Sequence, residues 1–190
     1  DELQQDYDGN IWVHTSVGYS IYKYDEEQFD RKPEEWLKDI HVQGPPFRLL
    51  IDKDKNMWIA VYGQGLYYHN AKTRNTYLFK FTKKAQPGCL KEGNISKITE
   101  VDGDALITYD DGTICLVNGQ KQKVSWYNSF LANHKAAGDN GAYTFYDGIG
   151  GFWVSVTNAN YVYQSKTGKW TDARSYLTNM GIDIPCPTRI

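Results

Sequence analysis

Short runs in which apolar and polar residues alternate, separated by clusters of Gly, Asn and Asp, fill most of this chain. The clearest set reads as four strands, Phe47–Ile51, Met57–Val61, Leu66–Tyr68 and Tyr77–Phe81. A turn at Asp52–Lys55, a loop at Tyr62–Gly65 and a turn at Asn70–Arg74 join them. Period-two patterning rich in β-branched and aromatic residues is what half-buried strands require. Asp111-Gly112 and Asn118-Gly119 supply the positive-φ positions of tight hairpins.

The set recurs. Gly9-Asn10-Ile11-Trp12-Val13, Lys55-Asn56-Met57-Trp58-Ile59, Asp104-Ala105-Leu106-Ile107 and Gly151-Phe152-Trp153-Val154 are four copies of one phrase, and their anchors Trp12, Trp58, Leu106 and Trp153 lie 46, 48 and 47 residues apart. A second marker keeps phase with the first: Ile21-Tyr22, Leu66-Tyr67, Ile114-Cys115 and Tyr161-Val162 each open a strand that ends at Asp25, Asn70, Asn118 or Ser165. The third copy is therefore a true repeat despite its missing tryptophan. A repeat of roughly 40 to 50 residues with several short strands fits the four-stranded blade of a β-propeller. The expected fold class is all-β: a β-propeller segment of four blades, each a four-stranded antiparallel sheet. Blade limits fall at about residues 1–46, 47–93, 94–140 and 141–190, within a single region. Pro33–Asp39, with an early Pro, acidic residues in the first turn and a Lys near its end, is expected to form about two turns of helix.

Both ends of the chain fall at the same phase of the repeat: Asp1–Asp6 reads as the end of an inner strand and Pro187–Ile190 as the start of another. Two geometries meet this expectation, a ring of four blades closed by those half-strands and four blades of a longer ring. The opening residues are polar, with no secretory leader pattern, which fits an excerpt or a mature segment.

Charge and composition narrow the partners. The net charge is −2 and no basic run occurs, which argues against nucleic acid and anionic membrane surfaces. No stretch approaches the ~20 apolar residues of a membrane span. The three cysteines, Cys89, Cys115 and Cys186, are far apart and lack C-x-x-C spacing, so they signal neither zinc nor a disulfide framework. Cys115 falls in a strand and is expected to be a small buried hydrophobe.

The phrase Asp6-Tyr7-Asp8-Gly9-Asn10-Ile11-Trp12-Val13-His14-Thr15, followed by a glycine-containing loop and Ser20–Asp25, resembles the two-component regulator propeller repeat. The second copy keeps Asp52, Asp54, Asn56, Trp58 and Gly65-Leu66-Tyr67, and the fourth keeps Asp147, Gly151 and Trp153-Val154. His14, Ala60 and Ser155 stand where the family usually has glycine, which marks a divergent member. The resemblance implies the periplasmic sensor region of a hybrid two-component histidine kinase, built from seven-bladed propellers. Such sensors commonly recognise oligosaccharides. Kinase activity is not expected in this chain, and no cofactor is. Expected partners are an oligosaccharide ligand, other propeller blades or a second receptor chain.

Candidate chemistry is sparse. Asp52-Lys53-Asp54-Lys55-Asn56 opens like a calcium loop, then fails at Met57, where glycine is required, and at Gly63, where a bidentate Glu belongs. A hairpin turn is the better reading, and no metal site is expected. His14, His41, His69 and His134 are scattered without metal spacing or a nucleophile motif. Trp12, Trp58, Leu106 and Trp153 are assigned to packing between blades. The loops between second and third strands offer amides, hydroxyls and tyrosines suited to sugar rings. Tyr19, Tyr62, Gln64, Tyr109, Asn158 and Asn160 are the candidate ligand-binding residues there. Rival readings are a protein-interaction propeller of the WD-repeat kind, a propeller lyase or glycosidase, which would need a convergent His, Tyr, Arg and carboxylate cluster, and a closed four-bladed ring like the haemopexin domain.

Overall fold

The computed structural model describes residues 2–15, 18–30, 46–83, 88–110, 112–127, 143–156 and 159–182. Each repeat copy folds into a meander in which strands adjacent in sequence are adjacent in the sheet. The first comprises β1 (Glu2–Gln5), β2 (Ile11–Thr15), β3 (Gly18–Lys23) and β4 (Gln28–Asp30). The second comprises β5 (Pro46–Ile51), β6 (Met57–Val61), β7 (Gly65–His69) and β8 (Thr76–Thr82), to which the two-residue β9 (Leu90–Lys91) adds in parallel. β10 (Ile95–Val101), β11 (Asp104–Tyr109), β12 (Ile114–Asn118) and β13 (Lys123–Trp126) form the third. β14 (Tyr143–Tyr146), β15 (Gly151–Val156), β16 (Ala159–Gln164) and β17 (Lys169–Asp172) form the fourth, followed by a helix, α1 (Ala173–Asn179). These four antiparallel sheets are blades, and the fold is that of a four-blade β-propeller segment. The helix expected over Pro33–Asp39 and the half-strand expected at Pro187–Ile190 lie outside the described residues.

Two compact units divide the chain. One runs to Ile107 and includes Cys115–Trp126; the other takes Thr108–Ile114 and continues from Tyr127. In the first unit, every residue of β6 and β7 is buried. A strand covered on both faces has no solvent side to fill with polar residues, hence the unbroken apolar run from Met57 to Val61. Leu49, Ile51, Met57, Ile59, Val61 and Tyr67 pack on one side with Trp12, Tyr19 and Ile21 of the first blade. Register places Leu50, Trp58, Tyr68 and Tyr77 in a row on the opposite side. The Trp58 and Tyr68 rings lie 4.4 Å apart. Third-blade backbone rests on that tyrosine, because a Cβ added at Gly119 would fall 2.6 Å from three of its ring carbons.

The second unit is built on aromatic pairs. Tyr146, Phe152, Tyr163 and Trp170 are cross-strand neighbours in one row of the fourth sheet. Tyr127 covers that row, 5.5 Å from Phe152 and 4.7 Å from Tyr163, and its carbonyl accepts from Trp170 Nε1 at 2.9 Å. Such pairs add about 0.5–1.5 kcal/mol each beyond the area they bury.

A recurring clamp explains why the repeat keeps both Asp and Trp. Asp6, Asp52 and Asp147 each follow the first strand of a blade and accept from the indole N–H six residues on, at 2.9 Å (Trp12), 3.1 Å (Trp58) and 3.2 Å (Trp153). Each carboxylate also takes the backbone N–H groups two and four residues on, between 2.8 and 3.0 Å. In the first two blades the Asn10 and Asn56 side chains add a fourth donor at 3.0 Å. Gly151 replaces that asparagine in the fourth blade, and the carboxylate occupies the room: a Cβ there would lie 2.1 Å from Asp147 Oδ2. The third blade dispenses with the device. Its turn shrinks to Asp102-Gly103, at φ 52° and 85°, flanked by buried Val101, and Leu106 is buried in place of the indole. The indole donor is gone and the turn's Asp102 is exposed to water, so neither half of the clamp is left buried without its partner.

Candidate ligand-binding surface

The residues expected to bind ligand are not all displayed. Tyr62, at 63% exposure, stands out on the β6–β7 loop beside half-buried Gln64, whose side-chain oxygen accepts from Tyr67 Oη at 2.5 Å. Asn160 is exposed at the start of β16. Asn158 lies outside the described residues. Tyr19 and Tyr109 are corrections: both are buried, at 5% and 1% exposure. β3 already begins at Gly18, so strand alternation turns Tyr19 to the same side as Ile21, into the core with Trp12. Tyr109 closes β11, whose residues from Ala105 onward are all buried. Among the anchors, Trp12, Trp58 and Leu106 are buried, whereas Trp153 is half-buried.

Trp153 lines an apolar cavity of about 320 Å³ in the second unit, together with Phe145, Val154, Asn160, Ala173 and Leu177. Phe145 stacks on Trp153 at 5.5 Å, and Tyr176 of α1 meets the indole edge-on at 5.5 Å. Asp172 caps α1 by accepting from Ser175 N at 2.9 Å. This hydrogen bonding holds the Asp172 carboxyl below its ordinary value. Nothing in the sequence pattern expected the helix, although an Asp immediately before it and Gly181 just after are its start and stop signals.

Two further cavities lie in the first unit, at the ends of the sheets where first strands turn into second and third into fourth. One, of about 250 Å³, is charged: Lys55 Nζ sits 2.8 Å from Asp8 Oδ2 at its rim. Beside it Tyr7 Oη donates to Glu100 Oε2 at 2.7 Å, and that oxygen also accepts from Lys53 N at 3.0 Å. The glutamate ties the turns of the first two blades to the third. Its hydrogen bond to the neutral phenol pushes the Tyr7 pKa up. The other cavity, of about 510 Å³, is framed by the β7–β8 and β12–β13 turns.

Electrostatics separate the clamp from a cation site. Burial alone would raise the Asp6 and Asp147 carboxyls. The hydrogen bonds from the turn and the indole outweigh it and hold both below the ordinary value. At Asp52 all four partners are N–H donors, a surrounding that suits a carboxylate and repels a calcium ion. His69 shares a hydrogen bond with Thr76 Oγ1 at 2.9 Å. Among the described residues, no group of three or more His, Cys, Asp or Glu side chains is placed to hold a metal. Cys115 is buried, and desolvation pushes its thiol pKa far up.

Four consecutive meanders, three of them braced by Asp–Trp clamps, define the chain as a β-propeller protein. No family model matches the chain, and no curated protein matches it either. Solved structures do. The extracellular domain assigned to the hybrid two-component system BT3049 of B. thetaiotaomicron superposes with a TM-score of 0.61 at 18% identity, over 90% of this chain and 23% of that one. The extracellular domain assigned to BT4673 of the same organism gives 0.56 at 13% identity, over 87% and 20%. PorZ, a surface component of the type-IX secretion system of Porphyromonas gingivalis, gives 0.52 at 11% identity, over 90% and 20%. These likenesses show the fold. The chain spans about a fifth of the length of these neighbours. Among the described residues, no helix is long and apolar enough to cross a membrane.

Proposed function

We propose that this chain is a non-catalytic piece of the extracytoplasmic, periplasmic sensor of a two-component receptor, that its blades are divergent two-component regulator propeller repeats within a larger propeller, and that the ligand sensed is a carbohydrate. The observation that carries the reading is the likeness, over nine-tenths of the chain, to an extracellular domain assigned to a hybrid two-component system. Surface chemistry supports the ligand class. Tyr62, Gln64 and Asn160 present an aromatic ring and amides, groups that stack on pyranose faces and exchange hydrogen bonds with hydroxyls. The carboxylates of the three clamps are engaged by N–H donors, which suits bracing rather than acid–base chemistry. Signalling then requires a ligand with different affinities for two arrangements of blades or of receptor chains, since only differential affinity moves such an equilibrium. The kinase that reads the change lies elsewhere in the receptor.

The test is retention of the purified chain on a panel of immobilised neutral and acidic polysaccharides, followed by calorimetry with oligosaccharides from the retaining polymer. Saturable binding to at least one glycan is expected. Failure to bind every member of the panel would remove the carbohydrate reading.

A further inference from the structure

We infer that the cavity between the second and third blades, at the end of the sheets opposite the β6–β7 loop, is a binding site for a neutral oligosaccharide. This rests on the carbohydrate reading above and gives it a location that no loop-face residue shares. The cavity, about 510 Å³, falls within the range of roughly 300–1,000 Å³ usual for small-molecule sites. Its floor is the buried Tyr68 ring and the backbone of Gly119, and its walls are the turns Asn70–Asn75 and Gly119–Gln122. Both walls belong to the first unit.

Three features of the lining select the ligand class. The side-chain amides of Asn75, Gln120 and Gln122 line the cavity, are exposed, and have no hydrogen-bond partner among the described residues. Each offers two donors and an acceptor, the complement of the paired hydroxyls of a sugar ring. Tyr77 lines the same cavity, half-buried, its ring held edge-on to Phe79 at 4.8 Å and so oriented without any ligand. An aromatic ring fixed beside free amides can pack on the apolar face of a pyranose while the amides take its rim. Among the described residues no carboxylate lines the cavity, and the one cation that does, Lys72, is exposed, as are Arg74 and Lys121 elsewhere in the two turns, so these solvated charges contribute little. The lining therefore favours a neutral sugar over an acidic one. The other two cavities differ: one is almost wholly apolar and the other carries the Asp8–Lys55 ion pair.

The walls are also prearranged. Asn70 Oδ1 accepts from Lys72 N, Thr73 N and Thr73 Oγ1 at 2.8–3.1 Å, and its Nδ2 donates to Tyr68 Oη at 3.0 Å. Asn118 holds the other wall through Lys121 N at 2.6 Å and Asp104 at 2.6 Å. A site built this way loses little freedom when it is filled.

The test is a titration of the full chain, followed by the side-chain NH₂ resonances in ¹⁵N NMR and by calorimetry, with malto-, cello-, xylo- and mannohexaose as neutral probes and a heparin hexasaccharide as the acidic one. A neutral probe is expected to shift the amide signals of Asn75, Gln120 and Gln122. The double variant Asn75→Ala/Gln120→Ala is expected to raise its Kd about tenfold or more, with an unchanged thermal transition. Tyr24→Ala, at an exposed position of the first blade, should leave that Kd unaltered. A neutral sugar whose affinity falls with Tyr62→Ala and not with the double variant would overturn the location and leave the carbohydrate reading standing. Binding of the acidic probe alone would overturn the ligand class, and binding of none would overturn both readings.

Discussion

Replacing Asp52 by alanine removes one carboxylate and strands four N–H donors. The Asp54 amide sits at an exposed turn and regains a water. The Asn56 amide, Asn56 Nδ2 and Trp58 Nε1 are buried, at 2.9, 3.0 and 3.1 Å from the lost oxygens, and cannot. At about 1–3 kcal/mol for each buried unsatisfied group, the loss is about 3 kcal/mol at the low end. The same substitution at Asp6 removes the same set of bonds from a part-buried setting that water can enter, so the cost there should be about 1 kcal/mol. Asp52→Asn is the sharper probe. Its retained oxygen can still serve the two backbone amides, but its NH₂ must then face Asn56 Nδ2 and Trp58 Nε1, both donors, at a cost of about 2 kcal/mol in an isosteric side chain. Urea unfolding followed by far-UV circular dichroism gives the three differences. Equal losses for Asp52→Ala and Asp6→Ala, or a neutral Asp52→Asn, would refute the claim that buried donors set the scale.

Three other outcomes follow from the same geometry. Gly119→Ala should destabilise by about 1–3 kcal/mol, because the new methyl must displace the Tyr68 ring from 2.6 Å, and a thermal melt would reveal it. The Asp6 and Asp147 carboxyls are held below their ordinary value of 3.8, so their contribution to stability is complete above that pH and is lost as pH falls through the folded values. Asp104 is raised by burial, so its opposing term is present at low pH and is lost as pH rises through its folded value. With two clamps and the Asp172 cap against one half-buried acid, the urea midpoint should decline between pH 4 and pH 2, and the decline should shrink in Asp6→Ala. Lastly, iodoacetamide at neutral pH should modify half-buried Cys89 in the native chain and leave Cys115 unmodified until urea exposes it, as read by peptide mass mapping.

Strand positions were the legible part. The second blade's expected strands differ from β5 to β8 by only a residue at their ends, because Gly, Asn and Asp punctuate an otherwise continuous apolar pattern. β9 was not legible, since two residues pairing in parallel with β8 leave no periodic trace. The tyrosines failed for a reason of parity. Tyr19 read as a loop residue because a Gly precedes it, yet the β2–β3 hairpin is tight enough to pair Thr15 with Gly18, and alternation then buries the phenol. The reason for the third blade's missing tryptophan becomes visible only when its turn is seen to shrink to Asp102-Gly103, with Asp102 exposed and the turn too short to form the clamp. Free amides are invisible in sequence for a deeper reason. Asn70 and Asn75 are the same residue type in one turn, and only coordinates show that the first is consumed by its own backbone and the second is not.

That contrast locates where this fold can vary its chemistry. In three blades the turn between first and second strands is spent on the Asp–Trp clamp, and a substitution there forfeits stability before it can alter a ligand. The turn between third and fourth strands is under a different constraint. Near its end it carries a positive-φ residue in every blade, Glu27 at 50°, Arg74 at 61°, Gln122 at 52° and Gly168 at 66°. One backbone conformation thus recurs with an acid, a base, an amide and no side chain at all. The left-handed region disfavours every residue but glycine and, to a lesser degree, asparagine and aspartate, so conformation alone would place glycine at all four positions. Three of the four instead keep a long polar side chain at some conformational cost, which is understandable if the side chain rather than the turn is what these positions supply. In the second and third blades those turns are the walls of the amide-lined cavity, and the scaffold beneath them is held by clamps or apolar packing that do not depend on what the walls contain.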